Sequence, residues 1–252
     1  MEINLQGKNI LVTGASRGIG AAIAAQLGKS GARVAIHYGK NRAKAEEIAQ
    51  KAGNQAAVFQ ANLNDSAACS TLFSTVVQEF GHIDVLINNA GIAIQSPLEK
   101  DDQEWIEDWE KTMQVNMTAS AILSRAAIQH FQQSKGGRLI HIASRAAFRG
   151  DTVDYMAYAA SKAAMVAFSR SIARGYGKQG ITSFVIAPGF TATDMAQDFI
   201  DEYGMDYALQ GVALDRLTQP QDLAPTVVLL ASGLADHATG CTIDINAGSY
   251  VH

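Results

Sequence analysis

The sequence predicts an α/β fold, a doubly wound parallel sheet with helices on both faces. Three observations predict it. Short apolar runs of strand length recur along the 252 residues and alternate with longer segments whose apolar positions repeat at the helical period. The first such run ends in a cluster of glycines that opens a helix. No linker, internal repeat or low-complexity tract divides the chain, so residues 1–252 read as a single domain.

Composition bounds the function. With 48% hydrophobic and 17% charged residues the chain can bury a large core. A net charge of −4 without a basic block argues against nucleic-acid binding. Cys69 and Cys241 lie far apart without metal-ligand spacing, so reduced thiols, a cytoplasmic setting and no metal site are expected. The first residues are polar and acidic, unlike a secretory signal, and no apolar run reaches membrane-spanning length.

Residues 8–13 read as a buried strand, followed by Thr13-Gly-Ala-Ser-Arg-Gly-Ile-Gly20 and an alanine-rich helix. Glycines allow a tight turn and close backbone approach, and a helix N-terminus offers free N–H groups to a pyrophosphate. Gly14, Gly18 and Gly20, with Ser16, Arg17 and Ile19 between them, are therefore expected to bind a dinucleotide. Residues 32–38 form the second strand, at whose end a Rossmann-type NAD site carries an acid. Here that end reads Tyr38-Gly-Lys-Asn-Arg42, with no acid. Arg17, Lys40 and Arg42, with Tyr38 and Asn41 beside them, would welcome a 2′-phosphate. NADP(H) is preferred and NAD(H) stays possible. Lys40 and Arg42 are equally read as solvated residues of a loop and helix start.

A polar helix to about residue 53, a strand over 55–60 and a helix over 66–80 follow. In that last helix Leu72, Phe73, Val76, Val77 and Phe80 form a core stripe. Asn62 and Leu63 end the third strand where an adenine would lie. The fourth strand runs into Asn88-Asn-Ala-Gly91, so Asn89, Ala90 and Gly91 face the same edge. Residues 94–108 read as a surface loop leading into a helix from about Trp105. Trp105 and Trp109 pack on each other or face a partner, with substrate contact as the alternative. Asn116 stands inside the long helix that follows, where asparagine is unfavourable. Its side chain bonds backbone, faces water or serves the site.

The fifth strand spans 137–144 and ends in Ser144, on the edge where open parallel sheets bind ligands. His141 within it reads as a satisfied core histidine. Residues 145–154 read as a loop. Next comes Tyr155-Met-Ala-Tyr-Ala-Ala-Ser-Lys162, a helix that puts Tyr158 and Lys162 one turn apart on one face. An ammonium beside a phenol lowers its pKa and suits it to proton transfer. Tyr155 is the rival phenol, but Lys162 lies seven residues on, roughly 10 Å of rise away. A sixth strand over 181–187 leads into Pro188, Gly189, Thr191 and Thr193. Residues 190–217, acidic with scattered apolar side chains, read as a flap over the ligand or as a fixed helical hairpin. Pro220 suits a helix start, Pro225 within the same helix leaves that start open, and residues 241–248 form a seventh strand and turn.

Taken together, Thr13-Gly-Ala-Ser-Arg-Gly-Ile-Gly20, Asn88-Asn-Ala-Gly91, Tyr158-Ala-Ala-Ser-Lys162 and Pro188-Gly189 with Thr193 resemble the classical short-chain dehydrogenase/reductase family, including its 3-oxoacyl-carrier-protein reductases. The resemblance covers nearly the whole chain. It implies a seven-stranded parallel sheet, a catalytic tetrad of Asn116, Ser144, Tyr158 and Lys162, and a homotetramer built partly from the helices around Asn116 and Tyr158. It implies that Tyr158 and Lys162 also touch the cofactor, and that Asn116 anchors a water leading from Lys162. Three departures stand out: a Ser144-to-Tyr158 gap slightly longer than usual, Asn62 where many relatives have aspartate, and Asn246-Ala-Gly-Ser where a Gly-Gly pair is common.

The expected activity is NADPH-dependent interconversion of a ketone and a secondary alcohol, on a free small molecule or a 3-oxoacyl thioester. A carrier protein would need a basic patch, to which Lys135, Arg138 and Lys178 would contribute against an acidic flap. The alternatives are an NAD-dependent alcohol or sugar dehydrogenase of the same fold and a nucleotide-binding regulator without catalysis. The complete tetrad speaks against the last.

Overall fold

The computed structural model describes residues 3–134, 136–193, 200, 204–209 and 211–251. Seven strands form one parallel sheet in the order β3-β2-β1-β4-β5-β6-β7. They are β1 (Asn9–Val12), β2 (Arg33–Tyr38), β3 (Ala57–Gln60), β4 (Val85–Asn88), β5 (Gly137–Ile142), β6 (Ile181–Pro188) and β7 (Thr242–Ile245). Strand order reverses at β1, which pairs with β2 on one side and β4 on the other. In such sheets the C-terminal ends of the strands at the reversal frame a ligand crevice.

Both faces are covered. On one, helices α1 (Gly18–Lys29), α2 (Arg42–Ala52) and α8 (Pro220–Ser232) pack Ile23, Leu27, Ala45, Leu223 and Val227 against Ile10, Ile36 and Ile186. On the other, α3 (Ser66–Phe80) and α5 (Ala119–Gln133) pack Leu72, Phe73, Val76, Leu123 and Phe131 against Leu11, Leu86 and Leu139. Helix α7 (Met156–Tyr176) joins this face through Ile172 and Met165. Strands buried on both faces explain the continuous apolar runs.

Three boundaries differ from expectation. Helix α4 (Asp102–Met113) starts three residues before Trp105, because the Asp101 carboxylate accepts the N–H groups of Gln103 and Glu104, both at 3.0 Å. Trp105 and Trp109 stack on each other with ring centroids 5.4 Å apart. Residues 145–154 are more than a loop: they hold the short helix α6 (Ala146–Arg149) and end in a 3₁₀ turn over Val153–Tyr155. Helix α8 starts at Pro220, where a reciprocal Gln219–Asp222 cap fixes it, and Pro225 lies inside. Of the acidic 190–217 segment, Asp194, Asp198, Asp201 and Glu202 fall outside the described residues. Among the described residues no helix is long and apolar enough to cross a membrane.

Candidate active site

The site assembles where β1, β4, β5 and β6 end. Thr13 organises its floor. Its hydroxyl accepts the N–H groups of Asn89 (2.9 Å) and Ala90 (3.0 Å), and the Asn89 amide donates to the carbonyls of Thr13 (2.8 Å) and Gly14 (3.2 Å). The glycine loop and the Asn88-Asn-Ala-Gly91 turn are thus bolted together. A Cβ on Gly14, whose φ is +62°, would meet Ala90 Cα at 2.9 Å, and one on Gly20 would meet the Asn89 amide at 2.4 Å. Helix α1 opens at Gly18 with no side chain capping its first turn and no acid in it. Helices α2, α3 and α4 are each capped by a side chain, of Asn41, Asp65 and Asp101.

A residue the sequence reading passed over holds the loop from below. His37 on β2 is buried, its Nδ1 accepts the Gly14 N–H at 3.0 Å, and its Nε2 donates to the Ala61 carbonyl at 3.1 Å. A backbone N–H only donates and a carbonyl only accepts, so both bonds require one neutral tautomer. Burial drives the His37 pKa down to about 4. Beyond it, the Tyr38 ring is buried in the core, Lys40 is exposed, and Asn41 caps α2 by accepting the Lys44 N–H at 3.0 Å. Arg42 pairs with Glu46 at 2.8 Å, so a carboxylate does stand near this end of β2, one turn into α2. Asn62 is exposed and its Oδ1 accepts the Asn64 N–H at 3.1 Å, while Leu63 is buried.

The four predicted catalytic residues come together at the mouth. Asn116 lies fully buried in a five-residue π-helical turn (Gln114–Thr118) between α4 and α5, which accounts for an asparagine inside a long helix. Its Oδ1 accepts the Ile92 N–H (2.8 Å), and its amide donates to the Ile92 carbonyl (2.9 Å) and to Ser161 Oγ (2.9 Å). Lys162 is buried, and its Nζ donates to the Ile142 carbonyl at 2.8 Å. A Cβ on Gly91 would lie 3.3 Å from both Asn116 Oδ1 and Lys162 Nζ, so glycine is what lets the two approach. Ser144 Oγ accepts the Ala146 N–H at 3.1 Å, and its own proton is turned toward the Tyr158 phenol. Lys162 Nζ sits 5.7 Å from the centre of the Tyr158 ring. Tyr155 lies just outside α7 as its N-cap, seven residues before Lys162.

The electrostatics correct one expectation. The Tyr158 phenol is pushed up, not down: burial dominates, the Ser144 hydroxyl pulls the other way, and the Asp151 carboxylate adds to the rise. Burial also lowers Lys162 to about 8. Sequence spacing puts the two groups on one face but does not report that the ammonium is drawn to the Ile142 carbonyl and that both groups are desolvated.

Across the crevice, Gly189 passes so close to β7 that a Cβ would meet Asn246 Cα at 2.7 Å. After Pro188 and Gly189 the chain folds back over the glycine loop. Thr191 donates to the Gly189 carbonyl at 3.0 Å, and Thr193 Cγ2 lies 3.4 Å from where a Gly18 Cβ would stand.

With this geometry the short chain dehydrogenase model matches residues 8–204. The chain belongs to the short chain dehydrogenase family. It is similar to the 3-oxoacyl-(acyl-carrier-protein) reductase FabG of Haemophilus influenzae, 38% identical over 248 residues that cover 98% of this chain and 100% of that protein. Among solved structures, a dehydrogenase/reductase from Sinorhizobium meliloti 1021 is 34% identical with a TM-score of 0.92, over 99% of this chain and 98% of that one. A short chain dehydrogenase from Burkholderia cenocepacia J2315, solved in complex with NADP, is 34% identical with a TM-score of 0.90, over 98% and 99%.

As a member of the short chain dehydrogenase family the protein is an oxidoreductase, and its own residues fit a nicotinamide dinucleotide. The α1 N-terminus has N–H groups that no side chain caps, and its glycines let Ala90, Asn89 and Thr193 pack closely against the loop, which suits the approach of a pyrophosphate to the backbone. Two sequence expectations need amendment. Arg138 is the second residue of β5 and makes a two-point ion pair with Asp236 (2.6 and 2.9 Å), and Lys178 precedes β6, so both lie on the sheet edge opposite the site. Lys135 falls outside the described residues. His141 is buried and neutral, its pKa lowered to about 3 by burial and by Lys162, but only Nδ1 is satisfied, by the Asn88 amide at 3.3 Å.

Proposed function

We propose that the protein is an NADPH-dependent ketoreductase that interconverts a ketone and a secondary alcohol, with residues 1–252 as one catalytic unit and 190–217 as its substrate flap. One observation carries the reading: the Ser144 hydroxyl, the Tyr158 phenol and the Lys162 ammonium converge beside the glycine loop. When bound, the cofactor supplies the hydride. Ser144 donates to the substrate oxygen as negative charge develops there, and Tyr158 gives it the proton. Lys162 has two N–H groups left after Ile142, which serve the cofactor ribose and favour the ionised phenol once the site is filled. Asn116 has both amide hydrogens engaged, so a water relay would use the remaining lone pair of Oδ1. Gly14, Ser16, Arg17, Gly18, Ile19 and Gly20 hold the pyrophosphate side, and Gly91, Pro188, Gly189, Thr191 and Thr193 the nicotinamide side.

The substrate class we favour is a small ketone or a 3-oxoacyl thioester, as the FabG relative's name indicates for that protein. The preference for NADP(H) rests on Arg17, Lys40 and Arg42. The Arg42–Glu46 pair favours the reading with NAD(H), because it draws one cation away. Exposed pairs of this kind contribute little and yield readily to a phosphate. We also propose a cytosolic homotetramer, supported by exposed Ile106 on α4 and Met156 on α7. The test is NADPH oxidation with a panel of ketones and acyl thioesters, alongside fluorescence titration of NADPH against NADH. Ketone-dependent oxidation with tighter NADPH binding supports the proposal. Tighter NADH binding with alcohol oxidation only would replace it.

A further inference from the structure

Arg145 directly follows Ser144. Its N–H donates to the Pro188 carbonyl at 2.9 Å, which seats it across the ends of β5 and β6. The Ser144 hydroxyl accepts from Ala146, and the Arg149 N–H donates to the Arg145 carbonyl, so Ser144 and Arg145 share one tight turn.

Among the described arginines, Arg33, Arg138 and Arg145 are the ones not exposed. Arg33 donates to the Gln55 carbonyl and lies over the Phe80 ring, and Arg138 grips Asp236. The Arg145 guanidinium has neither a hydrogen bond nor an ion pair among the described residues. A half-buried guanidinium offers five donors, has given up part of its hydration and matches the geometry of an anion. Its charged neighbours are Arg149, which is exposed, and Asp151, also exposed. Asp151 is close enough to raise the Tyr158 phenol as well, so one carboxylate neighbours both Tyr158 and Arg145. The Asp151 Oδ1 is held by the Thr152 N–H at 2.9 Å.

We propose that Arg145 is a substrate-binding residue that holds an anionic group of the ketone, beside the serine and tyrosine that handle its oxygen. This rests on the ketoreductase reading and narrows it: the substrate carries a carboxylate or a phosphate, not a neutral chain alone. The carboxylate belongs to a free oxo acid; the phosphate belongs to a pantetheine arm bearing an acyl thioester.

The experiment compares a 3-oxo acid with its methyl ester, and a coenzyme A thioester with its N-acetylcysteamine analogue, in wild type, Arg145→Met and Arg145→Lys. Expected in Arg145→Met is a fall of about tenfold or more in the charged-to-neutral ratio of kcat/KM, carried by KM, as loss of a charged hydrogen bond predicts. Arg145→Lys should keep part of the ratio, and NADPH affinity should stay unchanged in both. The pair whose ratio falls identifies the anion. Calorimetric titration of the 3-hydroxy acid, its ester and the coenzyme A thioester into NADP⁺-loaded protein reads the same contrast without turnover. If no ketone is reduced but anion binding is lost in Arg145→Met, the ketoreductase reading fails and the arginine's role stands. Equal effects on charged and neutral partners, an unchanged ratio, or no anion binding in wild type would overturn it.

Discussion

His37 Nδ1 accepts the backbone N–H of Gly14 at 3.0 Å, so the first glycine of the cofactor loop is held by a buried, neutral imidazole. Protonation would turn that acceptor into a donor facing another donor. His37→Asn keeps an acceptor at the Nδ1 position and loses the reach to Ala61; His37→Leu loses both bonds. We expect NADPH affinity to fall about tenfold in the leucine variant, to recover in large part in the asparagine variant, and kcat at saturating NADPH to stay near wild type. Fluorescence titration with steady-state kinetics reads all three. A leucine variant that binds NADPH normally would remove His37 from this role.

The same histidine sets an acid limit to stability. His37 and His141 titrate near the ordinary 6.5 when unfolded but at about 4 and about 3 when folded. Between those values the unfolded chain binds more protons, so stability falls as pH drops below about 6.5 and the loss levels off below the folded values. For His37 the full effect is on the order of 3 kcal/mol. Thermal unfolding from pH 8 to pH 4 should show a flat upper region and a steep acid limb, shallower in His37→Asn. An acid limb of equal slope in both proteins would contradict this.

Ala247 adopts a left-handed conformation with φ of +51°, at one of the positions where relatives commonly carry a glycine pair. Its carbonyl accepts the Ala213 N–H at 2.8 Å, which keeps it there. A left-handed alanine costs roughly 1–2 kcal/mol, partly offset by the added chain entropy of glycine when unfolded. Ala247→Gly should therefore stabilise by up to about 1 kcal/mol, raising Tm by about 2–4 °C. Calorimetry decides, and an unchanged or lower Tm counts against it.

The proposed NADPH preference is tested at the Arg42–Glu46 pair. Arg42→Ala should weaken NADPH by about tenfold and leave NADH unchanged, the size of one charge-assisted contact to phosphate. Glu46→Gln, which frees the guanidinium, should tighten NADPH a few-fold. Equal loss of both cofactors in Arg42→Ala would mean that Arg42 supports the helix and not the phosphate.

Much of this architecture is legible in the sequence because it is local. The stripe of Leu72, Phe73, Val76 and Phe80 marks α3, and the observed helix spans Ser66–Phe80 as the pattern predicts. Glycine loops, strand ends and the Tyr158–Lys162 spacing are local too. What escaped is long-range or depends on burial. His37 gains its meaning from Gly14, 23 residues away, and Ala61, 24 residues away. Asn116 stands out as an oddity by propensity, but the π-helical turn and the grip on Ile92 appear only when β4 and α5 meet. The direction of the Tyr158 shift is not legible in the spacing, because spacing along a helix carries no measure of desolvation.

The central claim is that Tyr158 hands the proton to the substrate oxygen while the rest of the site binds and orients. Tyr158→Phe keeps the ring and removes only the hydroxyl, so one pair of measurements tests it: turnover of a ketone substrate and the Kd for NADPH. Turnover should fall by at least about a thousandfold, with NADPH affinity within about twofold of wild type. Turnover near wild type in that variant would contradict it.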